Sequence, residues 1–175
     1  MDFYIQTSNP RYNNILNKED KQLSEAIESV FPMNTESAFI VWNHIYIPLS
    51  YKYDISYMIE DIMRIIDSIQ RKNLGKLNVR WLPDTFRTDW DIEWDSEHIC
   101  IISQWEHTVG CLEKLLNKEN KIIIKKRDFV YEWKELLSVL IRGLLHCGYD
   151  KKTILGMEDI IKLYNSIEES GCIYK

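Results

Sequence analysis

Glycine and proline are scarce in this sequence, with six glycines and four prolines among 175 residues. The glycines are scattered, so the phosphate-binding patterns GxGxxG and GxxxxGK[ST] are absent. The serine-hydrolase pattern GxSxG and the metalloprotease pattern HExxH are missing as well. No linker-like stretch and no internal repeat divides the chain. These absences predict a single domain over residues 1–175, without a known catalytic motif.

Long hydrophobic runs are also missing from the sequence. No stretch approaches the ~20 apolar residues needed to cross a bilayer. The start, Met1-Asp2-Phe3-Tyr4, lacks the basic residues and the apolar run of a secretory signal. We therefore expect a cytoplasmic protein that does not bind membranes.

Cysteine spacing gives little support to a metal or a disulfide. The four cysteines stand at positions 100, 111, 147 and 172, and none forms a CxxC pair. His98 with Cys100, and His107 with Cys111, could contribute zinc ligands, but the paired knuckles of a structural zinc site are absent. Cys111 and His107 could also form a nucleophilic pair, although spacing alone shows no orienting group. We expect free thiols, mostly buried, with no metal, no disulfide and no cofactor.

The charge balance is acidic, with a net charge of -5. A protein of this sign is poorly suited to bind nucleic acid through a general positive field. One short basic patch, Lys121 with Lys125–Arg127, does not change that expectation. We expect no direct binding of nucleic acid, and the charge suits a basic protein partner better.

Hydrophobic periodicity predicts an α+β fold, because helices and strands occur in mixed order without βαβα alternation. We expect a mainly antiparallel sheet of about four to six strands, packed with four or five helices. The predicted strands are Phe3–Gln6, Ala38–Ile47, Leu77–Leu82, Asp89–Asp95 and Ile99–Trp105. Lys121–Lys125 is predicted to be a further strand or an amphipathic connector. The predicted helices are Lys18–Phe31 capped by Asn17, a helix capped by Asp54 that runs through Ile69, Val109–Leu116, Asp128–Cys147 closed by Gly148, and Met157–Glu168.

The most informative stretch is the acidic segment, Asp84 to Glu97. It contains six carboxylates and one basic residue, Arg87. The carboxylates are Asp84, Asp89, Asp91, Glu93, Asp95 and Glu97. The central letters D-W-D-I-E-W-D alternate with period two, which predicts a strand. We expect its acids to face solvent or a partner, and Trp90 and Trp94 to be buried in the core. Trp42 is expected to lie in the core as well.

Three interpretations of the acidic segment stay open. Its spacing is similar to the start of a calcium-binding loop, but Trp94 stands where that loop needs glycine. A run of charge can also be a solvated sheet face. The third interpretation is a docking surface for a basic partner, because complementary charge speeds association and sets register.

Taken together, these features give the chain a family likeness. It is small and acidic, rich in Trp, Tyr, Asn and Ile, free of catalytic motifs, and it carries the acidic segment from Asp84 to Glu97. In this it resembles the bacterial immunity proteins of contact-dependent growth inhibition and related polymorphic toxin systems. The resemblance implies a cytoplasmic antidote, not an enzyme, which binds and occludes the basic toxin domain of its cognate effector, expected to be a nuclease. A small enzyme with a scattered Asp/Glu/His site, or a regulatory ligand-binding module, is the alternative.

Overall fold

Two antiparallel sheets and five α-helices make up residues 2–168, the part of the chain that the computed structural model describes. The predicted α+β class and antiparallel pairing are confirmed, with the strands divided between two sheets. The first sheet is formed by β1 (Phe3–Gln6), β2 (Ala38–Trp42) and β3 (Ile45–Leu49), in that order. The second sheet has the order β4 (Gly75–Trp81), β5 (Phe86–Trp94), β6 (His98–Thr108) and β7 (Lys121–Lys125).

The helices are placed between and after these strands. They are α1 (Leu23–Val30), α2 (Ser56–Arg71), α3 (Glu113–Leu116), α4 (Lys126–His146) and α5 (Met157–Ser166). A single turn of π-helix, Tyr51–Ile55, runs directly into α2, and we call it the π-turn. Helix α4 ends before Gly148, whose φ of 91° is the left-handed conformation expected after a helix. Between residues 2 and 168, no helix has the length and apolarity to cross a membrane.

The prediction of one continuous strand over Ala38–Ile47 is wrong, because the chain reverses within it. Asn43 and His44 have φ values of 46° and 66°, so both central residues of the turn are left-handed, as in a type I′ turn. Trp42 then pairs with Ile45, and β2 and β3 form a hairpin. Neither turn residue is glycine, so the usual sequence signal for this turn is absent.

Two helix starts also differ from the prediction. Helix α1 begins at Leu23 rather than at Lys18, and its first turn is closed by Glu25, whose carboxylate accepts the backbone N–H of Gln22 at 3.2 Å. Asn17 does not cap this helix. The predicted helix at Val109–Leu116 shortens to α3, and residues 109–112 form a turn and irregular chain before it.

Both sheets share one aromatic core. The Trp90 ring lies at its centre, with ring centroids 5.3 Å from Trp42 of the first sheet and 5.3 Å from Trp81 of its own sheet. Phe3 packs edge-on against Trp90 and contacts Phe129 of α4 at 5.1 Å. Most of these contacts are edge-to-face, the arrangement that aromatic quadrupoles favour. The expected burial of Trp42, Trp90 and Trp94 is confirmed, and the shared core ties the two sheets together.

Candidate functional site

Strand β5 carries the central part of the acidic segment with the predicted alternation. Trp90, Ile92 and Trp94 are buried, whereas Asp91 and Glu93 are exposed. Successive side chains of a strand point to opposite faces, so one face of β5 builds the core and the other meets solvent. We call the solvent side of the second sheet the outer face.

The six carboxylates of the acidic segment do not share one location. Asp89, Asp91 and Glu93 form a row along the outer face, which we call the acid row. Asp84 lies in the loop between β4 and β5, and two further acids, Asp95 and Glu97, lie beyond the other end of β5. Because nine residues of strand extend roughly 30 Å, the two ends of the segment belong to different regions of the surface.

Cross-strand register brings basic and amide side chains beside the acid row. Asp89 is paired in register with Arg80, whose Nε lies 3.8 Å from the carboxylate. Asn78 Nδ2 donates a hydrogen bond of 2.9 Å to Asp91 Oδ1. Glu93 stands opposite Lys76 in the same register. The prediction from the linear sequence counted Arg87 alone, because the partners on β4 become neighbours only once the register of the hairpin is known.

The acids outside the row have local roles. Asp84 forms an ion pair with Arg87. Asp95 Oδ1 accepts the backbone N–H groups of Glu97 at 2.8 Å and His98 at 2.7 Å, which closes the turn between β5 and β6. These hydrogen bonds, with that from His98 first, lower the pKa of the Asp95 carboxyl. Asp95 is therefore a turn residue, and the Glu97 side chain is exposed beside it.

An apolar stripe runs along the acid row on the side away from β4. Ile102 of β6 pairs in register with Asp91 and is 46% exposed, and Ile123 of β7 is 59% exposed. Cys100, half-buried, lies between Glu93 and Ile123 in the cross-strand register. The outer face thus places apolar side chains next to a charged row, a combination found where proteins bind one another.

A second surface feature lies at the Asp84 end of the segment. A groove of about 690 Å³ opens between the π-turn, the start of α2 and the loop between β4 and β5. Four exposed apolar or aromatic side chains line it: Tyr53, Tyr57, Leu82 and Val109. We call this feature the tyrosine groove.

Asp54 lies at the base of the tyrosine groove, 1% exposed. The prediction that Asp54 caps α2 is wrong, because this residue belongs to the π-turn. Its Oδ2 accepts the backbone N–H of Ser50 at 2.7 Å, and its Oδ1 accepts the Thr85 hydroxyl. Burial raises the pKa of the Asp54 carboxyl, and the two hydrogen bonds oppose that rise. The contacts of Ser50 with Tyr53 and Asp54 are local, whereas the contact of Asp54 with Thr85 joins residues 31 positions apart and depends on the tertiary structure.

The residues considered for metal or nucleophilic chemistry stay dispersed. Within residues 2–168, no group of three or more His, Cys, Asp or Glu side chains is placed to hold a metal ion. His107 contacts the backbone carbonyl of Asp84, and Cys111 is exposed in a turn with φ of 56°. The expectation of mostly buried thiols is wrong for the described part of the chain, where Cys147 is buried but Cys100 is half-buried and Cys111 exposed. Cys172 lies outside the described residues.

Two surfaces therefore stand out, the outer face with its acid row and the tyrosine groove. No protein-family model, no curated protein and no solved structure matches this chain.

Proposed function

We propose that this protein is a cytoplasmic immunity protein that binds the toxin domain of a cognate effector and neutralises it without chemistry. The toxin domain would be basic, in keeping with a nuclease. The observation that carries the proposal is the acid row Asp89, Asp91 and Glu93 on an outer face that is open to solvent.

The geometry of the acid row suits recognition of cationic side chains. Alternate residues of a strand lie roughly 7 Å apart, so the three carboxylates form a regular line. The intervening residues Trp90 and Ile92 are fully buried, which fixes the strand that carries the line. A rigid, pre-arranged surface loses little conformational entropy when it binds.

The acid row would block a nuclease because it binds the basic surface that the nuclease uses for its substrate. A surface that binds phosphates is basic, and a row of carboxylates competes for the same lysines and arginines. The exposed Ile102 and Ile123 add apolar contact beside the charged row. Arg80, 58% exposed and paired with both Asp89 and Glu106, would exchange these partners or move aside.

The decisive experiment first searches the neighbouring reading frames for the cognate effector and then measures association with its toxin domain. The variant Asp91→Lys/Glu93→Lys reverses two charges of the acid row, so we expect association to slow at least about tenfold. The parent's association rate should fall with added salt, and the variant's should depend on salt much less. Co-expression with the toxin domain should show loss of growth protection.

A matched control carries the same charge change elsewhere. Glu158→Lys/Asp159→Lys on α5 alters the net charge equally but leaves the outer face intact, so it should associate like the parent. Circular dichroism checks that both variants fold. A folded Asp91/Glu93 variant that binds and protects as well as the parent removes the outer face from the interface. A parent that neither binds nor protects refutes the immunity function itself.

A further inference from the structure

Exposed apolar side chains gather at the tyrosine groove. Residues 2–168 include fourteen large hydrophobic side chains that are exposed, and four of them line this groove. Tyr57 is 68% exposed and Leu82 62% exposed. Met33, 72% exposed, adjoins the cluster, since the Tyr53 hydroxyl lies 3.6 Å from its sulfur. Single exposed hydrophobic residues are ordinary, whereas a contiguous group of this kind marks a binding site.

The groove is held in shape by polar contacts beneath it. Ser50 Oγ accepts the backbone N–H of Tyr53 at 3.3 Å, which fixes the start of the π-turn. The Asp54 carboxylate joins this turn to Thr85 on the opposite wall. Single turns of π-helix are rare and are frequently found at functional sites. The two walls are thus tied together by the protein's own side chains, as expected of a preformed site.

The charge of the groove selects the kind of ligand. Its accessible charge is the carboxylate of Asp84, because Asp54 is 1% exposed and both of its oxygens accept hydrogen bonds within the protein. No Lys, Arg or His is among the described lining residues. The Asp84 side chain is 90% exposed at the rim, although it pairs with Arg87. Tyrosine rings also attract cations to their faces, and the Lys52 ammonium already lies 5.6 Å from the centroid of Tyr53. These features favour a cation on an apolar stem over an anion or an acidic peptide.

The groove is continuous with the proposed interface. Asp84 belongs to the groove and is also the first carboxylate of the acidic segment, and its partner Arg87 lies on β5. Asp84 and Asp89 are five residues apart along the chain, so at most roughly 17 Å separates them. An ordinary interface of about 800 Å² per partner is large enough to include both features.

We infer that the tyrosine groove receives an arginine or lysine side chain, flanked by apolar residues, from the same toxin domain that binds the acid row. The source of the cation rests on the proposed function, while the ligand chemistry of the groove does not. The Tyr53 and Tyr57 rings would contact the apolar stem, and Asp84 would face the charge.

Benzamidine tests the ligand chemistry with the protein alone, because it places a planar cation on an apolar ring. In ¹⁵N–¹H NMR titrations at millimolar concentration, benzamidine should shift the amide signals of Tyr53, Asp54 and Thr85. Benzamide, its neutral counterpart, should bind about two- to fivefold more weakly, the loss expected for an exposed cation–π contact. Tyr57→Ala should weaken benzamidine binding at least about tenfold, because it removes one wall.

A matched pair of variants isolates the charge at the rim. Asp84→Asn should weaken benzamidine binding about threefold, within the range for an exposed charge pair. Asp61→Asn removes a similar Asp–Arg pair three residues apart, Asp61 with Arg64 on α2, and should leave benzamidine binding unchanged. Benzamidine that causes no shifts at the groove, or benzamide that binds equally well, would overturn the cation site.

The toxin domain tests the source of the cation. Tyr57→Ala should lower its affinity at least about thirtyfold, the loss expected at an interface hot spot. Tyr131→Ala, an exposed tyrosine of α4, should cause no such loss. Unchanged toxin binding by Tyr57→Ala would exclude the groove from that interface. If the parent bound benzamidine in the groove but no toxin domain, the immunity function would fail and the cation site would stand.

Discussion

The Thr85 hydroxyl donates a hydrogen bond to the carboxylate of Asp54, and this contact links the loop before β5 to the π-turn before α2. Thr85 follows the second sheet's first strand, whereas the π-turn follows the last strand of the first sheet. One hydrogen bond therefore fastens the two walls of the tyrosine groove and joins two separate parts of the chain.

Thr85→Val tests this link with almost no change in side-chain shape. The buried Asp54 carboxylate would lose one of its two described donors, and we expect the free energy of unfolding to fall by about 1–3 kcal/mol. Urea denaturation followed by tryptophan fluorescence measures the change. Thr7→Val, at a half-buried threonine after β1, serves as the control. Equal stability of Thr85→Val and the parent would mean that the contact contributes nothing net.

Asp54 should respond to pH in the direction opposite to an ion-paired aspartate. Burial raises the pKa of Asp54 in the folded state above the ordinary value of 3.8. The stabilisation of the folded state that comes from this shift is therefore complete below pH 3.8, and it is lost as pH rises through the raised pKa. Asp54→Asn cannot ionise. We therefore expect the parent to gain stability relative to Asp54→Asn as pH falls from 7 toward 4, in urea denaturation at each pH. A relative loss on acidification would show that the native site favours the charged carboxylate.

We expect a second dependence of stability on pH, at alkaline pH, from Tyr149. Its hydroxyl donates to the Asp20 carboxylate, and burial, followed by this hydrogen bond, raises the pKa of Tyr149 to about 12. The unfolded-state value is near 10.0, so the stabilisation is complete below pH 10 and is lost between pH 10 and 12.

Between pH 10 and 12, the contribution of Tyr149 to the free energy of unfolding falls by about 1.4 kcal/mol per pH unit. Tyr149→Phe should be less stable than the parent at pH 7, and the gap should narrow above pH 10. Parallel urea denaturations of both proteins give the difference, with Tyr131→Phe as an exposed comparison. A gap that stays constant up to pH 12 would contradict the raised pKa.

The turn between β2 and β3 offers a stabilising substitution. His44 has a φ of 66°, a conformation that costs most residues energy but suits glycine. Asn-Gly is also the preferred pair for a type I′ turn. We expect His44→Gly to raise the free energy of unfolding by about 0.5–1 kcal/mol, because relief of the left-handed strain exceeds the entropic cost of glycine. Thermal denaturation shows whether the substitution stabilises or destabilises the protein. A lower melting temperature would show that loss of the exposed contact between His44 and Asp2 costs more stability than the relaxed backbone provides.

Sequence patterns were informative where the cause of a structure is local. The alternation along β5, the bounds Lys121–Lys125 of β7 and the end of α4 before Gly148 could all be predicted. The hairpin at Asn43-His44 was missed, because its left-handed residues lack the usual glycine. Register between β4 and β5, which brings Arg80 to Asp89, depends on folding of the hairpin and not on either strand alone.

The two surfaces of the candidate site also differ in whether the sequence alone could predict them. The acid row was predicted because it needs only period two within one strand. The tyrosine groove was not, because Tyr53, Leu82 and Val109 come from three distant segments. Their proximity follows from the packing of both sheets against one core, which no single stretch of sequence encodes.

The alternation along β5 also bears on how this protein can diversify. Asp89, Asp91 and Glu93 lie on the outer face, and none of them is part of the aromatic core that holds the sheets together. Mutations at these positions can change what the surface recognises, while Trp90 and Ile92 continue to specify the same strand in the same register. Single substitutions on the outer face can therefore alter its binding properties without a change of fold.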